Sequence, residues 1–196
     1  MRIGAYHAGY VAVSVVVLAA APGRALFAQG GRTVAHSIGS AAPVPPDASR
    51  LEPARGILRS LVGTWRFEIW FAGNFDGAPD ASGTRVVTTL FDDLRLQWTE
   101  ALDRSPIQGQ GIIGFDPGSG RFFSTAVYSA GSAPEFMMGT LDSAEPLVTF
   151  SPIPASSEPS PAQRAIQSFA LTMLDRNHFA SAALDHGWRS VFTRQP

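Results

Sequence analysis

Most of the chain alternates between apolar and polar positions. Over residues 64–71, Trp65, Phe67, Ile69 and Phe71 fall on one face and Thr64, Arg66 and Glu68 on the other, with Trp70 out of step. A period of two marks a half-buried strand, because successive side chains point to opposite sides of a sheet. Leu94, Leu96 and Trp98 alternate with Arg95, Gln97 and Thr99 in the same way, and 84–91 is a β-branched run. Further strand-like segments occupy 107–115, 122–128, 135–141, 147–153, 166–174, 179–184 and 188–194. Turn residues separate them: Gly73-Asn74-Phe75-Asp76-Gly77, Asp92-Asp93, and Asp116-Pro117-Gly118-Ser119-Gly120, where Pro suits an early turn position and Gly supplies positive φ. Ahead of the strands the period changes. Ala54, Ile57, Leu58, Leu61 and Val62 recur at helical spacing behind Pro53, which suits a first turn. This predicts a short amphipathic helix over 53–62, able to close one end of a barrel.

About ten short strands at regular spacing, with no helical patterns between them, favour an up-and-down meander over βαβ units. The expected fold is all-β: a single closed up-and-down barrel of about ten strands with a short N-terminal helix. A two-sheet sandwich is the main rival. Closure would remove the edge strands that invite aggregation, and Gly109, Gly111, Gly114 and Gly139 suit bends in a closing sheet.

The first 50 residues read differently. Met1-Arg2 gives a positive start, and residues 10–21 form an apolar run of signal length, short for a bilayer span, before Pro22-Gly23-Arg24 interrupts it. Residues 1–28 are therefore expected to be a signal peptide, cleaved after Ala25 or Ala28, with an uncleaved anchor as the alternative. Residues 29–50 are small, polar and Pro-rich and read as a flexible linker. The barrel domain is assigned to 51–196. The expected address is periplasmic or secreted, with no membrane anchor once the signal is removed.

Composition narrows the function classes. The chain of 196 residues carries a formal charge of −1, and cleavage after Ala28 leaves 13 Arg against 16 acidic residues, a charge of −3. There is no Lys, and the arginines are spread singly, so no basic patch for nucleic acid is expected. With no Cys, neither a disulfide nor a lipid-modified cysteine is available, and stability must come from the core and sheet closure. A monomer or weak homodimer is expected.

Leu61-Val62-Gly63-Thr64-Trp65 carries the Gly-x-Trp opening of calycin-type, lipocalin-like barrels. Together with Gly109-Gln110-Gly111-Ile112-Ile113-Gly114-Phe115-Asp116, Phe136-Met137-Met138-Gly139-Thr140-Leu141-Asp142 and Thr193-Arg194, it resembles the bacterial domain of unknown function 1579 family. The resemblance covers about residues 58–196 and implies a lipocalin-like barrel without an agreed activity, cofactor or catalytic residue. The Pro/Ser insertion at 151–164 departs from it. In the wider lipocalin group an Arg of the last strand covers the opening Trp. Arg189 and Arg194 are the candidates to pack over Trp65 here.

Among polar residues, Glu100 shares the apolar face of Leu94, Leu96 and Trp98. It either faces the interior, where it needs a partner, or marks a strand end turned outward at the barrel mouth. The candidate ligand-binding set is Trp98, Glu100, Phe123, Tyr128 and Met138, with Phe136 and Met137 as further apolar wall candidates. His178 and His186, the histidines of the folded part, could offer an imidazole to a haem, but no motif demands it. No cofactor, metal site or catalytic residue is assigned. No nucleophile elbow, phosphate loop or dinucleotide fingerprint occurs. The expected function is binding of a small apolar or amphipathic molecule in the interior, with segment 151–164 as a lid at one end. The alternatives are a barrel enzyme (isomerase, cyclase or hydrolase) using an interior acid, and a structural or interaction protein of the cell envelope with a filled core.

Overall fold

Helix α1 (Ala48–Leu61) leads into ten strands: β1 (Gly63–Phe71), β2 (Ala81–Thr89), β3 (Arg95–Leu102), β4 (Gln108–Asp116), β5 (Arg121–Tyr128), β6 (Glu135–Leu141), β7 (Leu147–Pro152), β8 (Phe169–Met173), β9 (His178–Ala183) and β10 (Trp188–Arg194). Each strand pairs antiparallel with the next, and β1 pairs with β10, so the sheet closes into a ten-stranded up-and-down barrel. The computed structural model describes residues 48–131, 133–142, 144–154 and 157–196. The expected signal peptide and residues 29–47 of the expected linker lie outside the described residues. Among the described residues, no helix is long and apolar enough to cross a membrane.

Alternation fixes which side chains enter the barrel. Trp65 and Phe67 of β1, Leu96 and Trp98 of β3, Phe115 of β4, Phe122 of β5 and Phe150 of β7 are buried. The turns after β2, β4, β6 and β8 lie at the end that α1 closes. Arg55 and Arg59 of the helix pair with Asp93 in the turn after β2. Ala54, Ile57, Leu58 and Leu61 plug that end, all 7% exposed or less. The helix starts at Ala48, so residues 48–50 are helical rather than linker, and Pro53 sits inside it. A ring there costs one main-chain hydrogen bond, which the packing of the four buried residues outweighs.

Strand boundaries depart most from the sequence pattern in β2, which begins at Ala81 and ends early, and in β8, which begins late. β2 stops at Thr89, and Phe91, 83% exposed, belongs to the turn in which Leu90 N donates to Arg95 O. β8 begins at Phe169, because Ile166 is drawn into the end of α2 (Pro161–Arg164), where its amide donates to Gln163 O. Ser160 and Gln163 form a reciprocal capping box that starts this short helix.

The junction between α1 and β1 is built around Trp65. Its Nε1 donates to Leu61 O at 2.8 Å, and the Arg194 guanidinium lies 4.2 Å from its ring centroid. Arg194 Nη1 and Nη2 donate to Val62 O and Ser60 O, both at 2.7 Å. These carbonyls end the helix and lack intrahelical partners. Gly63 holds φ at +141°, and a β-carbon there would stand 2.4 Å from Arg194 Nη1. The Gly-x-Trp opening is thus one structural unit with Arg194. The other candidate, Arg189, packs instead over Trp70 and Phe75.

Candidate functional site

The barrel interior is filled at the α1 end and open above it. Phe179 stacks on Phe192 at 4.1 Å and meets Trp65 edge-on at 4.7 Å. Phe115, Phe122 and Phe150 form a second run of edge contacts. Above this floor lies a cavity of about 660 Å³, reaching toward the end opposite α1. That volume suits a small organic molecule. Ala162, Ala165 and Ile166 of the β7–β8 connection line the cavity, and the following Gln167 is tied to Asp185 at 2.7 Å.

Most of the wall is apolar, and its charged groups lie in one sector. Arg85, Glu100, Gly109 and Tyr128 are successive register partners across β2, β3, β4 and β5. Val87, Trp98, Gly111, Ala126 and Glu135 form the neighbouring row, which reaches β6. Glycine at 109 and 111 makes room for the larger neighbours. A β-carbon at 109 would meet Tyr128 at 2.8 Å and Glu100 at 3.0 Å, and one at 111 would meet Trp98 at 2.6 Å.

Glu100 accepts from Arg85 Nε at 2.9 Å and from Nη2 at 2.5 Å. Its side chain is 7% exposed, so the strand delivers it to the interior and not to an outward-turned end. The Arg85 guanidinium lies 4.5 Å from the Trp98 ring centroid and 4.8 Å from that of Phe192. Both aromatic and ionic partners therefore hold it. Tyr128 tilts against Trp98 with ring centroids 6.4 Å apart. Burial, reinforced by the negative charge of Glu100 and opposed by Arg85, raises the Tyr128 hydroxyl well above its ordinary pKa, so it stays a protonated donor. The Glu135 side chain makes no hydrogen bond or ion pair among the described residues. Burial first, then Glu100, pushes its carboxyl above the ordinary value, with Arg85 opposing.

That shift has a measurable consequence. The folded state holds the Glu135 proton more tightly than the unfolded chain does. Its contribution to stability is full below about pH 4.5 and is lost as pH rises through the elevated folded value. Glu135→Gln should match the wild type in urea unfolding near pH 4 and be the more stable near pH 8. An equal offset at both pH values would deny Glu135 this titration.

Of the five residues expected to bind a ligand, Trp98, Glu100 and Tyr128 line the cavity. Phe123 and Met138 do not. They are register partners of each other, one position out of phase with the inward Phe122, Ala126, Tyr128 and Met137, and so lie on the outer face. A one-residue step in a strand moves a side chain to the opposite side of the sheet. Phe136 is likewise outward and exposed, whereas Met137 is core. The sequence reading missed Arg85 and Glu135. Parity was the available signal for Glu135, which shares a face with Met137 and Leu141, whereas 84–89 has no alternation that would point Arg85 inward. His178, bonded to Asp175 at 2.9 Å, and His186, in the turn after β9, do not line the cavity. Among the described residues no cluster of three or more His, Cys, Asp or Glu could hold a metal ion.

The molecule is a closed ten-stranded antiparallel barrel with an apolar interior cavity and one ionisable wall. The family model described as "Protein of unknown function (DUF1579)" matches residues 51–187, and the chain belongs to that family. No curated protein matches it. Among solved structures, a redesigned β-barrel is similar at 14% identity and a TM-score of 0.40, over 71% of this chain and 96% of that one.

Proposed function

We propose that the protein is exported and that its barrel holds one small apolar or amphipathic molecule, with the polar end of the ligand against the Arg85–Glu100–Tyr128–Glu135 wall. The cavity carries this reading: about 660 Å³ of space, mostly apolar, with its charged groups gathered in one sector. Apolar burial would supply most of the affinity, and the polar sector would set orientation. The same space weighs against a filled core. Ala162 and Ile166 stand where a ligand entering from the open end would pass. Export rests on the apolar run at 10–21 behind a positive start.

One observation favours a second reading. An interior acid with a raised pKa and no partner, beside a cavity, is what proton transfer requires. Glu135 rather than Glu100 would exchange the proton in such an enzyme, because Arg85 holds Glu100. The binding reading is tested by titration with the neutral fluorescent probe N-phenylnaphthylamine. Its emission should rise and saturate at one probe per barrel; no saturable rise would reject the reading.

A further inference from the structure

We infer that the cavity selects ligands whose head group is a cationic amine, seated between Glu135 and the Trp98–Tyr128 corner, with a hydrocarbon body in the apolar part of the barrel. This inference rests on the ligand-binding reading above and names the class of ligand.

The charges of the wall carry it. The ionisable carboxylate and guanidinium groups lining the cavity are Arg85, Glu100 and Glu135: one cation for two acids. Arg85 is already used. Two of its nitrogens donate to Glu100, and the rings of Trp98 and Phe192 pack against the guanidinium. An anionic head group would find no uncommitted cation and would face the surplus carboxylate. Glu135 is the acid left over, on the β6 side of the row that contains Trp98.

A carboxylate in such a wall is costly unless it takes a proton or meets a cation. An alkylammonium supplies the cation. It also suits the aromatic corner, because the face of the Tyr128 ring attracts positive charge and the Arg85 guanidinium lies on Trp98 and Phe192 instead. The Tyr128 hydroxyl faces the same region and would hold an unprotonated or hydroxylated head group less strongly than the carboxylate holds an ammonium. Phe67, Ile69, Leu102 and Trp188, which line the apolar remainder, fit the body of an amphiphile and offer no charge.

Isothermal titration calorimetry of the protein with decylamine, decanol and decanoate at neutral pH tests the inference. Decylamine should bind about tenfold tighter than decanol, and decanoate more weakly than either. In Glu135→Gln the amine should fall to the level of the alcohol, and a wild-type urea transition near pH 4 shows that the variant is folded. Decanoate binding as tightly as decylamine, or an amine advantage that survives Glu135→Gln, would overturn the inference and leave the binding reading standing. Failure of all three probes to bind would overturn both.

Discussion

Trp65→Ala should cost the barrel about 3–5 kcal/mol, the range for emptying a large buried aromatic site. The ring is fully buried, donates to Leu61 O, lies beneath Arg194 and meets Phe179 edge-on. Its removal loosens three elements together: the end of α1, the start of β1 and the last strand, β10. Globular domains hold about 5–15 kcal/mol in all, so this change should bring the protein close to unfolding. Trp65→Phe keeps most of the apolar volume and loses the indole donor, so it should cost much less than the alanine change. Arg194→Ala should not add fully to Trp65→Ala, because the two side chains share one interaction. Urea unfolding of the single and double variants measures this. Full additivity would mean that the guanidinium serves the helix carbonyls alone.

The second large effect is at Arg85. Arg85→Ala leaves Glu100 in the barrel wall without its cation, and breaking a buried pair on one side costs about 3–5 kcal/mol. The Arg85 side chain is 21% exposed, so solvent screening should hold the loss toward the lower end of that range. Adding Glu100→Gln to Arg85→Ala should restore part of the stability, since the stranded charge is then gone while the shape is kept. If the double variant is no more stable than Arg85→Ala alone, the stranded Glu100 charge is not what the single change costs, and the loss comes from the packing of Arg85 on Trp98 and Phe192.

The barrel was legible in the sequence because its strands obey a simple period and its turns carry Gly, Pro and Asp. β6 and β10 begin and end where the alternation places them. The Trp65 unit was legible as well: Gly63 and Trp65 stand in a recognisable opening, and Arg194 was one of two candidates for its cover. The cavity wall was only partly legible. Glu100 stood out as a charge on an apolar face. Arg85 did not, since 84–89 is Thr, Arg, Val, Val, Thr and Thr, with no alternation to say which side is inside. Its pairing with Glu100 depends on the hairpin register set by the turn between β2 and β3, a tertiary fact. Phe122-Phe123 and Met137-Met138 are adjacent apolar pairs, and composition cannot choose between their members. Carrying parity back from Tyr128 selects Phe122, and carrying it on to β6 through the Ala126–Glu135 pairing selects Met137. Ile166 extends the apolar pattern of β8, yet the capping box at Ser160 and Gln163 draws it into the connection over the open end.

Interior binding is decided by the N-phenylnaphthylamine titration run in parallel on the wild type and on Ala126→Phe. Ala126 is buried on the cavity wall between Gly111 and Glu135, so a phenyl group there fills the space a ligand would use. The wild type should bind one probe saturably, and an Ala126→Phe variant whose urea transition shows it folded should not. Equal binding by both proteins, or none by the wild type, would contradict it.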